Sequence, residues 1–439
     1  MTDATPEKLG LAEVVAIGVG GMVGGGIFAV LGLAMDTAGH AVVLAFMFGG
    51  AVALMTGYSY AHLGLAFRDD GGSFTYIEHA FRAPFIAGVA GWLLVAGYIG
   101  TMALYGTAFG AYGAALLRPS GPGAVTTDLL ASLVLLAFLG INLAGVKVSG
   151  RLELILVIVK VSILLLFVAV GLSRVQTDHL VPVFNKSPVA PFAAAALIFV
   201  AYEGFELIPN AIEEMKEPTK TLKRGLLIAI LATVALYILV SFVALGNLTP
   251  EDIQRDQEYA LAVAARPSLG QFGYVLIGLA ALLSTASAIN ATLFGSSRLA
   301  MVMAREHALP RIFSHRERSR PIPWVALVTL TAATIAFVIF AKLSVISAFA
   351  SATFLLIFLG VNASAAGLHE EIGLKAIIPF AGAILCAVTF AVVLWHTWAT
   401  DRASFFWIIG IYAAAIGGEL ILTLLRGPRR RAQASSRSA

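Results

Sequence analysis

Long uninterrupted apolar runs constrain this chain more than any other feature. Two of them read LILVIVKVSILLLFVAVGL (residues 154–172) and LLIAILATVALYILVSFVAL (residues 226–245). A helix needs about 20 mostly apolar residues to cross the hydrocarbon core of a bilayer, and both runs have about that length. Only 12% of the residues are charged, about half the share of an average soluble domain. The sequence therefore predicts an all-α polytopic membrane protein.

Polar interruptions divide the chain into about twelve spans of bilayer length. Their approximate centres are Val23, Ala53, Tyr98, Leu136, Val161, Tyr202, Ala235, Leu283, Ala332, Phe354, Leu385 and Ala413. If the amino terminus is inside, 21 of the 29 Lys and Arg residues lie in inner segments and seven in outer ones. Because cytoplasmic loops are rich in Lys and Arg, we expect cytoplasmic termini and a multi-pass protein of the cell (plasma or inner) membrane.

The polar residues argue against several function classes. We attribute the net charge of +4 to membrane orientation rather than to nucleic-acid binding. The lone Cys386 excludes an internal disulfide framework, and no Cys/His cluster has metal-site spacing. No G-x-x-x-x-G-K-S/T motif for ATP binding and no Ser/His/Asp constellation are present. The chain is not expected to be an enzyme or to hold a resident cofactor.

Two spans are interrupted by residues that disfavour a regular helix. The first contains GVGGMVGGGIF (residues 18–28), and the sixth contains FVAYEGFELIPNAIEE (residues 199–214). The two lie five spans apart, and since five is odd, a five-helix repeat must be inverted relative to its partner. Interrupted helices at matching positions of inverted halves indicate the central site of a transporter.

This symmetry predicts a division of the chain. A cytoplasmic N-terminus (1–10) precedes a first inverted repeat (11–172), and a second inverted repeat (188–366) follows. Two accessory helices (374–425) and a cytoplasmic basic tail (426–439) complete the chain. Between the seventh and eighth spans, Thr249 and Pro250 resemble the N-cap and first residue of a helix, so we expect a short helical hairpin over the outer face.

Three motifs resemble those of the amino acid–polyamine–organocation permeases. GMVGGGIF is similar to the first-helix G-x-G-I-F motif, GGSFTYIEHAF (residues 71–81) to the GG-x-Y-x-Y segment, and FVAYEGFE with EEMKEPTKTLKRG (residues 213–225) to the sixth-helix motif and its exit loop. Lys160 in the fifth span makes the resemblance closest to the proton-coupled ApcT branch. It implies a LeuT-type fold with about 12 transmembrane helices, namely two inverted five-helix repeats plus two C-terminal helices.

The resemblance also implies a function, namely secondary active amino acid transport by proton symport and alternating access. The proton would be the coupling ion, and the partners would be a small-molecule amino acid or amine and the lipid bilayer. An exchanger or a polyamine/amine permease is the alternative. A receptor would need a large soluble signalling domain, for which no loop is long enough, and a channel would show flux that does not saturate.

The glycines of the first span have two possible explanations, close helix packing and an unwound segment. Small residues at small-xxx-small spacing, such as Gly20 and Gly24, let helices approach closely. Consecutive glycines point in all directions around a helix, however, and an unwound segment with free N–H and carbonyl groups explains them better. By the resemblance, the N–H groups of Gly25 and Gly26 bind the substrate carboxylate and the carbonyl of Met22 binds its ammonium. The predicted substrate-binding residues of this span are Met22, Gly24, Gly25, Gly26 and Ile27.

The sixth span supplies the second half of the predicted site. Its predicted substrate-binding residues are Phe199, Tyr202, Glu203 and Gly204. Val200 stands where several family members have a gating aromatic, so the identity of the ring that closes over the substrate is left open. Glu206 matches an acidic residue of the motif and is expected to support the helix break. Glu203 is either a counter-charge for a cationic substrate, a proton-titrating group, or an internal hydrogen-bond partner for unwound backbone or Lys160.

Lys160 is the predicted proton-coupling residue. It lies about ten residues from either end of its span, too deep to reach the interface easily. Burial disfavours the charged form of an amine, so this lysine is a plausible proton carrier, placed by the resemblance between the first and eighth helices. A permanently charged lysine paired with a carboxylate is the alternative. His62 is expected to be an interfacial histidine rather than a proton relay, and Tyr98 and Asn290 are expected near the side-chain pocket.

Overall fold

The computed structural model describes residues 8–68, 71–118, 123–145, 150–305, 308–315 and 322–425. The α-helices in these ranges are α1 (Leu11–Met22), α2 (Gly26–Ala38), α3 (Val42–Ala66), α4 (Ser73–Phe81), α5 (Pro84–Leu117), α6 (Ala124–Leu143), α7 (Gly150–Gly171), α8 (Ala190–Leu197), α9 (Pro218–Asn247), α10 (Pro250–Arg255), α11 (Ala260–Ala264), α12 (Arg266–Arg305), α13 (Trp324–Phe340), α14 (Leu343–Gly367), α15 (Ile377–Thr400) and α16 (Arg402–Leu425). The predicted basic tail 426–439 and most of the predicted N-terminal segment lie outside the described residues.

The helices account for the predicted membrane spans. Nine helical stretches of the described chain are long and apolar enough to cross a membrane, and a bent pair, Ala190–Leu197 with Phe199–Glu214, makes ten. One of the nine, Gly26–Ala66, contains α2 and α3, which a 3-10 turn at Gly39–Ala41 separates. Two apolar helices, α1 and α13, are shorter. If α1 is joined to α2, α3 is counted separately and the shorter α13 is included, the described residues form twelve spans.

Each of the twelve predicted centres lies in one of these spans. Large apolar side chains are exposed on α6, α7, α15 and α16, for example Leu133, Leu165, Phe380 and Trp407. Exposed apolar surface on this scale belongs against lipid rather than water. The prediction of an all-α polytopic membrane protein is confirmed. The division into repeats at 11–172 and 188–366 stays a prediction.

One helix was not predicted from the sequence. The segment GGSFTYIEHAF was identified only as a motif, and most of it forms α4, which packs against α5 and α14. Gly72 precedes α4 with φ 51°, a conformation that favours glycine. Within α4, Ser73 and the hydroxyl of Tyr60 on α3 share a hydrogen bond of 2.5 Å. The motif therefore fixes a short helix between the second and third spans.

Short helical segments cover one end of the first span. They are α10, the 3-10 turn Gln257–Tyr259 and α11, and the predicted N-cap is confirmed because Thr249 Oγ accepts the Asp252 N–H at 3.2 Å. We call these segments the cap. The carbonyl of Gln257 lies so close to Gly32 on α2 that a side chain there would collide with it. The cap is thus packed directly on α2.

Asp256 organises the cap electrostatically. Its carboxylate accepts hydrogen bonds from Arg255 at 2.7 Å and from the Tyr259 hydroxyl at 2.6 Å. Burial raises the pKa of Asp256, but these hydrogen bonds outweigh burial and hold the pKa below its ordinary value. Asp256 is therefore charged at neutral pH.

Candidate functional site

The first span is broken where the sequence is richest in glycine. Helix α1 ends at Met22 and α2 begins at Gly26. Within the break, the Gly24 N–H donates to the Gly21 carbonyl at 3.2 Å, a tighter turn than an α-helix makes. None of the three glycines from Gly24 to Gly26 has a positive φ. Their backbone conformations do not require glycine. Glycine must therefore be needed here because a side chain would not fit.

Neighbouring groups do occupy the space that side chains would need. A Cβ on Gly25 would collide with the ring of Tyr105 on α5. A Cβ on Gly26 would lie 2.7 Å from the carbonyl oxygen of Ala201 in the sixth span, closer than real Cβ contacts. The glycines therefore let another helix and the other broken span approach this backbone.

Side chains from three other helices bind the carbonyl groups that α1 leaves at its end. These hydrogen bonds run from Lys160 Nζ to Gly20 O (2.9 Å), from the Tyr237 hydroxyl to Met22 O (2.7 Å) and from Ser284 Oγ to Val23 O (2.6 Å). Buried backbone carbonyls need such partners. The Met22 carbonyl, predicted to bind substrate, thus already accepts one hydrogen bond.

The backbone N–H groups on the other side of the break are not bound in the way that these carbonyls are. Among the described residues, no acceptor forms a hydrogen bond with the backbone N–H of Gly25 or Gly26. Both are at the N-terminal end of α2, where unpaired N–H groups and the helix dipole favour an anion. The Ile27 backbone, next in the chain, contacts Tyr237.

The sixth span breaks by a different mechanism. After α8 the chain forms three 3-10 segments, Phe199–Tyr202, Phe205–Leu207 and Pro209–Glu214. Between the first two, Gly204 has φ 123°, which a residue with a side chain rarely adopts. A Cβ on Gly204 would also lie 2.7 Å from the Met22 nitrogen. The two breaks therefore meet backbone to backbone.

Two carboxylates accompany this break. Glu206 Oε2 accepts the Gly204 N–H at 2.7 Å, and Glu203 accepts a hydrogen bond from the Thr101 hydroxyl on α5. Glu203 is 3% exposed and Glu206 4% exposed. The second oxygen of Glu206 has no hydrogen-bond partner among the described residues. Glu206 thus holds the broken backbone locally, whereas Glu203 links the sixth span to α5.

The aromatic residues predicted from the sixth span point elsewhere. The Tyr202 hydroxyl donates to the Phe46 carbonyl at 2.6 Å, and Phe199 packs edge-on against Phe358 with ring centroids 5.8 Å apart. Both side chains are fully buried, and neither lines the central cavity.

A cavity of about 500 Å³ lies beside the two breaks. Residues predicted from the sequence that line it are Glu203, Gly204, Glu206, Tyr98 and Asn290, and those that do not are Met22, Gly24, Gly25, Gly26, Ile27, Phe199, Tyr202 and Lys160. The cavity extends to Glu214 and Arg298, near loops predicted to be cytoplasmic. Its polar lining and its position suit a pathway for a small polar solute.

Tyr105 is the cavity residue that sequence reasoning missed most clearly. Its ring lines the cavity and also lies against Gly25. Thr101 and Tyr237 were missed as well, and they hold Glu203 and Met22 respectively. The only sign of these residues in the sequence is a hydroxyl group within an apolar run. Such a hydroxyl indicates a buried hydrogen bond but does not identify the group that it binds.

Lys160 is buried beside the first break. It is 2% exposed, and its ammonium donates to Gly20 O rather than projecting into the cavity. Ser284 of α12 lies next to it, bound to Val23 O. His62 lies apart from the site, near the end of α3, where Nδ1 contacts the Tyr58 carbonyl and Nε2 contacts Lys223.

Two broken spans that meet at a polar cavity within a helical bundle define a membrane transport protein of the LeuT-type fold. A solved structure of a manganese transporter from Eremococcus coleocola has the same architecture, with a TM-score of 0.62 and 14% identity over 98% of this chain and 95% of that chain. At this identity the likeness concerns the fold alone.

The family follows from sequence. Residues 9–416 match the sequence model described as amino acid permease, and the chain belongs to that family. It is 34% identical to the inner membrane transport protein YbaT of Escherichia coli over 414 residues, 92% of this chain and 94% of that protein. It is 32% identical to the uncharacterized protein MJ0609 of Methanocaldococcus jannaschii over 94% of this chain and 95% of that protein.

The branched-chain amino acid permease BcaP of Bacillus subtilis is 27% identical over 72% of this chain and 71% of that protein. The resemblance to the amino acid–polyamine–organocation permeases is thereby confirmed. The protein is a membrane-embedded transporter of small molecules and not an enzyme.

Proposed function

We propose that the protein is a proton-coupled symporter of an amino acid that works by alternating access, with the substrate bound between the first and sixth spans. The observation that supports this most directly is the pair of free N–H groups at Gly25 and Gly26 in the first break, together with the carboxylate of Glu203 in the sixth break, which the first break meets. An α-amino acid carries a carboxylate and an ammonium, which need these two kinds of partner.

The substrate carboxylate binds the N–H groups of Gly25 and Gly26. Because the ring of Tyr105 lies against Gly25 and lines the cavity, this ring moves when the substrate binds. The ammonium binds the second lone pair of the Met22 carbonyl, since Tyr237 uses only one. Gly24 and Ile27 shape this segment, and Phe199, Tyr202 and Gly204 hold the sixth span against it.

Lys160 couples the cycle to protons. As an ammonium it bonds the end of α1 through Gly20 O, while Ser284 holds the next turn from α12. A neutral amine binds that carbonyl more weakly, since charge-assisted hydrogen bonds are about twice as strong as neutral ones. Loss of the proton therefore frees α1 to move. The proton is the coupling ion, and no resident cofactor is needed.

Purified protein in liposomes tests the proposal, with a panel of labelled amino acids and amines, with and without a proton gradient. We expect saturable uptake of an amino acid that the gradient stimulates. Lys160→Ala should abolish gradient-driven uptake and keep exchange. Full gradient-driven uptake by this variant, or stimulation of the wild type by sodium alone, would refute the coupling.

A second function, exchange or uptake of a cationic amino acid, polyamine or amine, is favoured by one observation. Glu203 lines the cavity, and it accepts a hydrogen bond from the neutral side chain of Thr101. A counter-charge role predicts that Glu203→Gln loses cationic substrates and keeps neutral ones. Equal loss of both classes would instead indicate that Glu203 only supports the unwound backbone.

We also propose that the protein lies in the cell (plasma or inner) membrane with both termini in the cytoplasm. The distribution of Lys and Arg supports this orientation, as does the name of the Escherichia coli relative, an inner membrane protein. Reporter fusions at each terminus, active on only one side of the membrane, test it.

A further inference from the structure

The proposed coupling does not yet say which group carries the proton from Lys160 to solvent. Lys160 does not line the cavity, so a proton released from its ammonium needs a route to solvent. The residue whose charge interacts electrostatically with Lys160 is Glu153, two helical turns earlier on α7. Glu153 does line the cavity.

Both groups contact the same glycine. The Gly20 carbonyl accepts from Lys160 Nζ at 2.9 Å, and a Cβ built on Gly20 would lie 2.9 Å from Glu153 Oε1. Residues seven apart share one face of an α-helix, separated by about 10.5 Å of rise. A lysine side chain extends toward the N-terminus of its helix, which here is the direction of Glu153. Gly20, which has no side chain, thus lies next to both the ammonium and the carboxylate.

We propose that Glu153 accepts the proton that leaves Lys160 and passes it to the cavity solvent, as the exit group of the transport cycle. This inference rests on the proposed proton coupling. The Nζ–H bond breaks, its electron pair stays on Nζ, and an O–H bond forms on Glu153. Transfer of that proton to solvent restores the carboxylate.

Polar and charged groups surround Glu153 in the cavity. Ser287 on α12 donates to both of its oxygens, at 3.2 and 3.0 Å, and links α12 to α7. In the described part of the chain, the charged groups around it are Lys160 on its own helix, Arg298 on α12, and three carboxylates of the sixth span. Those three are Glu203, Glu206 and Glu214, which line the same cavity; α1 contributes the uncharged Gly20 and Ile17 there.

The test compares Glu153→Gln with wild type in liposomes while the internal pH is varied at fixed external pH. Removal of a proton-transfer group costs at least about 100-fold in the step that it serves. We therefore expect the maximal rate to fall at least about 100-fold, an unchanged KM for the substrate, and loss of the dependence on internal pH. Glu153→Asp should restore that dependence.

Ser287→Ala is the matched control, because it removes the hydrogen bond between α7 and α12 and keeps the carboxylate. This variant should keep the dependence on internal pH. If it behaves as Glu153→Gln does, Glu153 is only a link between helices and the inference is overturned. If Lys160→Ala uncouples transport while Glu153→Gln matches wild type, this inference alone fails. If Lys160→Ala remains coupled, the proposed function fails instead.

Discussion

The two broken spans differ in how the chain is turned and in how the backbone groups freed at the break are bound. In the first span, glycines make room for neighbours, and side chains from α7, α9 and α12 bind the freed carbonyls. In the sixth span, a single positive-φ glycine turns the chain, and Glu206 from the same span binds its N–H. The first break depends on side chains of other helices alone. At the sixth break, Glu206 binds the turn from within the span, while side chains of α9 and α14 bind the carbonyls of Ala201 and Leu197.

This difference assigns the two breaks different tasks in the proposed cycle. A break whose carbonyls are bound by three other helices responds to any change in those helices, including the protonation of Lys160. A break whose turn is bound by a carboxylate of the same span, as Glu206 binds the Gly204 N–H, can keep that turn fixed while its neighbour moves. We therefore propose that the first span is the moving element and that the sixth provides the fixed wall that carries Glu203.

The largest expected effect tests the space around the first break. Gly25→Ala places a methyl group on the ring of Tyr105, and overpacking typically costs 1–3 kcal/mol. Because the methyl also blocks the free N–H groups, we expect transport to fall about 100-fold, a loss of about 2.7 kcal/mol in transition-state stabilisation. Labelled-substrate uptake in liposomes measures it.

Gly140→Ala is the matched control for this variant. No atom lies within 4 Å of a Cβ at Gly140 on α6, so its transport should equal that of wild type. If Gly25→Ala also transports normally, the first break is not a close contact, and the contrast between the breaks is lost.

The next effect concerns the hydroxyl that joins the breaks. Tyr237→Phe removes the group that lies 2.7 Å from Met22 O and 2.9 Å from Ala201 O. A buried carbonyl without a partner costs about 1–3 kcal/mol, so we expect a lower melting temperature and about tenfold slower transport. Thermal unfolding in detergent and liposome uptake provide the two readouts.

Tyr412→Phe is the control for Tyr237→Phe, because it removes a buried hydroxyl that lies away from the breaks. Its hydroxyl shares a 3.1 Å hydrogen bond with Thr353, away from both breaks. We expect it to lower stability and leave transport intact. Equal transport defects in both variants would show that the position of the hydroxyl does not matter.

A smaller effect is expected at the fixed wall. Thr101→Val keeps the shape of the side chain and removes the hydrogen bond to Glu203, a contact worth about 1.5–3 kcal/mol when one partner is charged. We expect a severalfold increase in KM and little change in maximal rate. Thr334→Val, which loses only a 2.8 Å bond to the Leu330 carbonyl on its own helix, should leave both constants unchanged; a maximal-rate defect in Thr101→Val would argue that the wall moves.

The smallest effect lies in the cap, which packs on α2. Since the folded pKa of Asp256 is below its ordinary value of about 4, its contribution to stability is present above that value and is lost as pH falls through the folded pKa. Asp256→Asn should lower the melting temperature at neutral pH, and the difference from wild type should shrink on acidification. A difference that persists in acid would exclude the charge as its cause.

Much of the fold was predictable because a bilayer penalises unpaired backbone groups and polar side chains strongly. Twelve spans followed from apolar runs alone, and the breaks followed from residues that no lipid-facing helix would tolerate. Helix α4 escaped prediction because it is short and amphipathic, so no bilayer-length run marks it.

The candidate site was only partly predictable. The sequence indicated where backbone groups become free, at Gly24–Gly26 and Gly204, but not which side chains bind them. Phe199 and Tyr202 were expected near the substrate, yet 3-10 geometry in this segment turns them toward α14 and α3. Side-chain direction in an irregular segment does not follow the helical period from which it was inferred.

Hydrophobicity and backbone propensity are local properties, so the membrane class, the number of spans and the residues at which two of them break were predictable without the structure. Tertiary structure alone decided that Tyr105 lies on Gly25, that Tyr237 joins the two breaks, and that Glu153 and Lys160 meet at Gly20. Those contacts depend on how each helix is rotated about its axis. Packing among twelve spans determines that rotation, and no single span encodes it.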